Sequence, residues 1–283
     1  MEDLRVDNGP IGLAVTRSGL ADAPPVLFLH GITSCRDSWF ESVERLGDRH
    51  DCWTLDFRGH GESDRAPGEY LIDHYASDAS AVLATIGRPT VVVGHSLGGV
   101  TAAHLVHSSH PLVTAIFLED PPLFVPNPGD DGGADFPAVF SVLHSRLVQM
   151  QADRASYNTY LNMARTSPSP MGGVASDHQS ERQIRSRAYQ LQTFDPSCLG
   201  PAIDGRVFAE FDSSHPIPCP VTVLAANPKF GAAFRDGDRE RLAAHSPHAI
   251  VVAFPEVGHS IRGATVSSAR FLRELDTFVA SAR

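Results

Sequence analysis

Short apolar runs alternate along the chain with longer stretches whose apolar residues return at helical spacing. Val26-Leu27-Phe28-Leu29, Cys52-Trp53-Thr54-Leu55, Val91-Val92-Val93, Ala115-Ile116-Phe117-Leu118, Val221-Thr222-Val223-Leu224 and the run from Ala249 to Phe254 read as strands. Ile11 to Arg17 reads as an earlier one, closed by Ser18-Gly19. Runs without polar alternation suit strands covered on both faces, as in a parallel sheet. Helices are predicted over roughly 36–47, where Trp39, Val43 and Leu46 share a face, over 71–86, and from Gly98 to His107. A last amphipathic helix over 265–280 turns Phe271, Leu272, Leu275 and Phe278 inward. Repeated strand-then-helix units predict an α/β fold, a mostly parallel sheet flanked by helices on both faces.

One segment breaks the alternation. Between Asp120 and Val221 lie about a hundred residues without a convincing strand, too many for a structureless loop inside a compact domain. A loop rich in Pro, Gly and Asp opens it, from Pro121 to Gly133. Helical stretches follow at roughly 136–151, 154–165 and 178–193, separated by Ser167-Pro168-Ser169-Pro170 and Asp195-Pro196. The expected division is a core domain made of 1–120 and 220–283, with a helical cap inserted over 121–219. Most aromatic residues of the insertion must pack it onto the sheet. Phe124, Phe136, Phe140, Tyr157 and Tyr189 are its candidates for lining a substrate pocket.

The candidate chemistry lies where the valine strand meets its helix, in Gly94-His95-Ser96-Leu97-Gly98. This G-x-S-x-G pattern is that of a nucleophile elbow. A serine on so tight a turn has strained dihedrals, and its Oγ stands clear of the sheet. The N–H groups that open the helix can then stabilise an oxyanion. An incidental serine in a Gly-rich turn would share the pattern, so the strand-turn-helix context carries the weight.

The formal charge of −10 speaks against nucleic acid or an anionic membrane as partner. No apolar run approaches the ~20 residues of a membrane-spanning helix, and Met1-Glu2-Asp3-Leu4-Arg5 lacks the apolar core of a signal peptide. Cys35, Cys52, Cys198 and Cys219 are scattered without metal-ligand spacing, as free thiols in a reducing compartment would be. A cytoplasmic protein is the expectation. His104, His107 and His110 recur every three residues, but no carboxylate joins them, and a solvated helix face is expected rather than a metal site. No cofactor is expected.

Four features, in this order, make nearly the whole chain resemble the α/β-hydrolase fold superfamily. They are His30-Gly31-Ile32 after an early strand, Asp56-x-Arg58-Gly59-His60-Gly61-x-Ser63, the elbow at Ser96, and Val257-Gly258-His259 after the last strand. The resemblance implies an eight-stranded, mostly parallel sheet with a cap inserted after the sixth strand. It implies Ser96 as nucleophile, His259 as its base, and the backbone N–H groups of Ile32 and Leu97 as oxyanion hole. His30 would be structural, and Arg58, His60 and Ser63 would brace a loop.

The triad's acid stays open at this level. In the commoner family pattern it follows the seventh strand, yet Ala226-Asn227-Pro228-Lys229-Phe230 contains no carboxylate. Asp120 resembles in placement the strand-six acid of lactonases and haloalkane dehalogenases and is favoured. Glu119, one residue out of register, Asp236 and Asp238 are the alternatives. The expected function is a serine hydrolase, monomer or homodimer, that cleaves a small hydrophobic ester or lactone through an acyl-enzyme on Ser96. Carbon–carbon bond hydrolysis, lyase or cofactor-free oxygenase chemistry, and a ligand receptor with a vestigial triad are the other readings.

Overall fold

The computed structural model describes residues 1–124 and 136–282. The expected Pro121–Gly133 loop therefore lies, from Val125 onward, outside the described residues. Eight strands are described: β1 (Glu2–Asn8), β2 (Ile11–Gly19), β3 (Pro25–Leu29), β4 (Asp51–Leu55), β5 (Thr90–His95), β6 (Val113–Glu119), β7 (Val221–Ala226) and β8 (Ile250–Phe254). They form one sheet in the order β1-β2-β4-β3-β5-β6-β7-β8. The β1–β2 and β2–β4 pairs are antiparallel and all later pairs parallel.

The parallel strands are apolar on both faces because helices cover both. Leu27, Leu29, Val92, Ile116 and Leu118 point into one core with α2 (Ile72–Ile86) and α3 (Leu97–His107). Their alternates Val26, Phe28, Val91, Val93 and Phe117 point into a second. There they meet Trp39, Leu46 of α1 (Phe40–Leu46) and Phe271, Leu275 and Phe278 of the C-terminal helix, Ser268–Ser281. The strand period of two thus assigns each apolar run to two cores at once.

Four elements depart from the sequence reading, one of them the short helix over Leu199–Ile203, whose five residues are too few to show a period. β1 pairs along the sheet's edge, and its sequence Glu-Asp-Leu-Arg-Val-Asp-Asn buries only Val6, too weak an alternation to stand out. A helix over Asp238–His245 buries only Asp238 and Leu242 and gives as little signal. The predicted 36–47 helix begins as a 3-10 turn over Arg36–Trp39, which seats Trp39 in the core before α1 starts.

Between β6 and β7 the described chain is helical: α4 (Phe136–Ala152), α5 (Tyr157–Thr166), α6 (Glu181–Thr193) and α7 (Leu199–Ile203). An isolated bridge between Pro168 and Val174 interrupts it. α5 packs on α6 and α4 on α7. Ser156 and Ser180 cap the starts of α5 and α6 by accepting from Thr159 N and Gln183 N, which satisfies otherwise free amides. No described helix is long and apolar enough to cross a membrane.

α3 lies close against the sheet through its first turn. A Cβ on Gly98 would stand 2.2 Å from the carbonyl oxygen of Leu29 in β3, and one on Gly94 2.3 Å from that of Gly98. Backbone has no rotamer with which to give way. Gly98→Ala is expected to cost at least about 1–3 kcal/mol by overpacking. Gly200→Ala, in open space on α7 but directly before Pro201, meets no packing clash and should change stability by less than Gly98→Ala does. Thermal unfolding of the two variants beside the parent checks the order.

Candidate active site

Ser96 leaves β5 with φ 52° and ψ −116°, a conformation that L-residues rarely hold. Its own N–H donates to Glu119 O at 3.0 Å, and its carbonyl oxygen accepts from Gly99 N at 2.9 Å and Val100 N at 3.1 Å. The elbow is thus held between β6 and α3. Across from it, a Cβ on Gly31 would lie 2.7 Å from His95 Nδ1 and 3.2 Å from Ser96 Cβ. That close approach holds the strand end against the elbow, and the next amide is that of Ile32. Neither Ile32 N–H nor Leu97 N–H donates to backbone among the described residues. Both are available to a ligand oxygen.

Asp120 follows β6 with φ 43° and is fully buried. Its Oδ2 accepts from His259 Nδ1 at 2.7 Å and from Ala233 N at 2.7 Å. Its Oδ1 accepts from Ala226 N at 3.1 Å and Phe234 N at 3.3 Å. The Nδ1–H donated to this carboxylate leaves Nε2 of His259 as the bare nitrogen. The three other candidate acids lie elsewhere. Glu119 is paired with Arg262, accepting from its backbone N at 2.8 Å and from its guanidinium. Asp238 accepts from Arg235 N at 2.7 Å, and Asp236 is exposed.

The His259 ring lies 4.8 Å, centroid to centroid, from that of His95. His95 Nε2 contacts His259 O at 3.2 Å, while its Nδ1 is buried without a partner among the described residues. Burial, with Arg262 and His259 nearby, holds the His95 pKa well below the ordinary value. His95 is thus neutral beside the other imidazole. Arg262 is neutralised by Glu119, and its guanidinium stacks 3.9 Å over Trp39.

A cavity of about 560 Å³ adjoins these groups, reached by His95, His259 and Arg262 but not by Ser96 or Asp120 among its described lining residues. Ile32, Thr33, His95, His259 and Arg262 wall it from the sheet side, and Phe136, Phe140, Leu143, Met163, Arg187 and Leu191 from the helical segment. Phe136 stands 5.9 Å from the His259 ring and 5.8 Å from Phe140. Three of the five candidate pocket aromatics do not line this cavity. Tyr157 donates to Arg185 O at 3.2 Å, Tyr189 to Glu62 Oε1 at 3.3 Å, and Phe124 packs partly buried on the core. In each tyrosine the hydroxyl found a polar partner away from the apolar wall. Arg187, Arg262 and His95 were not singled out from the sequence. The one signal was Arg187 itself, a cation in register with the apolar stripe of α6.

Other marked residues are structural. His30 Nε2 accepts from Phe57 N at 3.1 Å, and His60 Nδ1 contacts Arg58 O at 2.9 Å. Arg58 pairs with Asp78 at 2.7 Å, and Ser63 Oγ accepts from Ala14 N at 2.8 Å. The three histidines do not form one solvated helix face, since α3 ends at His107 and His110 lies beyond it. His104 pairs with Asp73 at 2.9 Å, whereas His107 stacks on Phe211 with centroids 5.2 Å apart. Among the described residues no group of three or more His, Cys, Asp or Glu is placed to hold a metal ion.

The family model described as alpha/beta hydrolase fold matches residues 24–261. A stretch of the chain is 42% identical over 103 residues to 2-(acetamidomethylene)succinate hydrolase of Mesorhizobium japonicum, covering 35% of this chain and 36% of that protein. Another is 33% identical over 120 residues to a bifunctional esterase/perhydrolase of Acinetobacter calcoaceticus, covering 41% and 44%. The chain thus matches less than half the length of these curated relatives. Among solved structures, an esterase from Exiguobacterium antarcticum superposes with TM-score 0.73 at 18% identity, over 98% of both chains. A bromoperoxidase from Bacillus anthracis does so with TM-score 0.77 at 16% identity, over 99% of this chain and 100% of that one. At such identities these two speak for the fold alone.

Around the elbow, burial holds His60 at about 4 and pushes His30 and His95 well below the ordinary 6.5. The folded protein therefore refuses protons that the unfolded chain takes up near 6.5. The contribution of these rings is fully present above that pH and is lost as pH falls toward about 4. The urea midpoint should be lower at pH ~5 than at pH ~7, and the difference should shrink in His60→Phe. Equal midpoints would show that the rings titrate freely.

Proposed function

The chain belongs to the α/β-hydrolase fold family, and from that premise we propose that it is a serine ester hydrolase that works through an acyl-enzyme on Ser96. The observation that carries this reading is the 2.7 Å hydrogen bond from His259 Nδ1 to Asp120, the residue after the Glu119 whose carbonyl oxygen accepts from the N–H of a Ser96 held at positive φ. In the proposed reaction His259 Nε2 takes the Ser96 hydroxyl proton as Oγ attacks the ester carbonyl. The N–H groups of Ile32 and Leu97 receive the oxyanion. As the intermediate collapses, the proton on Nε2 goes to the leaving alcohol. A water then repeats the sequence on the acyl-enzyme, returning its proton through His259 to Ser96 Oγ. The neutral His95 and the Glu119-compensated Arg262 spare the transient imidazolium a like-charged neighbour.

The substrate in this reading is a small to medium ester or lactone with an apolar part, admitted beneath the helical segment, which serves as a cap. The wall of Phe136, Phe140, Leu143, Met163 and Leu191 supports it. Ester cleavage also agrees with the activity for which the Acinetobacter relative is named. The receptor alternative drew on the missing strand-seven carboxylate. Asp120 on His259 offers a carboxylate in its place, which supports the hydrolase reading.

Two measurements test the reading. A 4-nitrophenyl phosphonate should add once, at Ser96, by intact-mass analysis, and Ser96→Ala should take no label; labelling of the variant would place the nucleophile elsewhere. Asp120→Asn should lower kcat for a 4-nitrophenyl ester by about 10³–10⁴-fold, the scale for loss of a triad aspartate. Asp236→Asn, on an exposed residue, should leave it within about twofold.

A further inference from the structure

Arg187 stands on α6 in register with the buried Ile184, Ala188 and Leu191, so a cation occupies the inward stripe of an amphipathic helix. Its hydrogen bonds go to neutral groups. Nη1 donates to Thr33 O at 2.6 Å and to Gln190 Oε1 at 3.3 Å, and Nη2 donates to Thr33 Oγ1 at 3.1 Å. Among the described residues it has no carboxylate partner. Arg36, Arg58 and Arg262, the other inward guanidinium groups, pair with Asp56, Asp78 and Glu119. Glu41, the one acidic residue on the cavity wall among those described, accepts instead from Gln183 Nε2 at 3.4 Å.

A guanidinium carries five N–H donors in a fixed plane. Three are used, and Nε–H and one Nη2–H have no partner among the described residues, on a side chain that lines the cavity. Two free donors on one rigid plane match the two oxygens of a carboxylate. Burial lowers the pKa of this guanidinium to about 10, which still leaves it charged at neutral pH. A charge removed from water without a counterion is unfavourable, and an anion entering the cavity relieves it.

We propose that Arg187 seats a carboxylate of the substrate, so that the ester cleaved at Ser96 is a monoester of a short dicarboxylic acid. This inference rests on the ester-hydrolase reading above. Thr33, which holds the guanidinium, directly follows Ile32, whose N–H serves the scissile carbonyl, and all three residues line one cavity, so the carboxylate and the ester group lie on one wall, as a short diacid requires. Phe136 and Phe140 then border the rest of the ester.

The test compares mono-4-nitrophenyl glutarate with 4-nitrophenyl valerate, of nearly equal size and without the charge. The parent enzyme should favour the glutarate in kcat/KM, and Arg187→Met should lower that ratio by about 10–100-fold, the worth of a charge-assisted hydrogen-bonded pair. The change should fall mainly on KM. Arg187→Lys, which keeps the charge and loses the planar fork, should fall between; it carries the comparison if the methionine variant fails to fold. A ratio unchanged by either substitution overturns the proposal. If neither ester is hydrolysed, the ester-hydrolase reading fails on its own, and free glutarate judges the seat. A higher melting temperature with glutarate in the parent but not in Arg187→Met supports the carboxylate site, and no shift in either refutes it.

Discussion

The cage around the Asp120 carboxylate is the constraint on which the rest of the site depends. A fully buried carboxylate is unfavourable unless its lone pairs are filled, and here four N–H donors fill them. One comes from His259, and three are backbone amides of Ala226, Ala233 and Phe234, at the end of β7 and in the turn after it. The backbone of Asp120 adds a bond from its own N to Leu224 O at 2.8 Å. A single side chain therefore fixes β6, β7 and the loop that carries His259. The turn after β7 has no acid of its own because it is folded around one supplied by the neighbouring strand.

Glu119 extends the same logic in the other direction. Its carboxylate reaches Arg262, three residues beyond His259, so two successive acids hold the two ends of one loop. Both guanidinium and carboxylate are buried, a pair whose value lies less in net stability than in the cost of losing either partner. Asn227 closes the third side: its N donates to Val257 O at 2.8 Å and its Nδ2 to Pro255 O at 2.6 Å. His259 is consequently oriented by contacts before and after it in the chain, which the proposed role of general base requires.

The parallel strands were legible because burial on both faces leaves unbroken apolar runs, as at Val91-Val92-Val93. The elbow was legible because a strand-to-helix turn with a backbone as close as that of Gly98 to Leu29 admits few other sequences. β1 was not, since an exposed edge strand with one buried residue carries almost no pattern. The inserted helices could be outlined from their period, but not the direction of each aromatic. Phe136 and Tyr157 look alike in sequence, and only the position of Arg185 O decides that Tyr157 turns away from the cavity. The choice among four carboxylates was likewise a tertiary matter. Adjacent residues of a strand diverge, but which of the two meets the histidine depends on a φ of 43° at Asp120.

Charge and cavity pull in opposite directions in this chain. Its formal charge is −10, yet the cavity wall holds Arg146, Arg187 and Arg262 against Glu41. Folding alone does not account for this. Within a helix whose inward stripe is Ile184, Ala188 and Leu191, an apolar residue in place of Arg187 would avoid the cost of an unpaired guanidinium. Local sequence rules are most often broken where a site needs the group that breaks them. Thr33, itself at φ 64°, supplies two of the bonds that hold this guanidinium, so the residue after the Ile32 amide is shaped around a cation. The Ile32-Thr33 loop and the helical segment are thereby tied through one side chain, and a ligand that engages Arg187 is positioned by the same segment that presents Ile32 N–H.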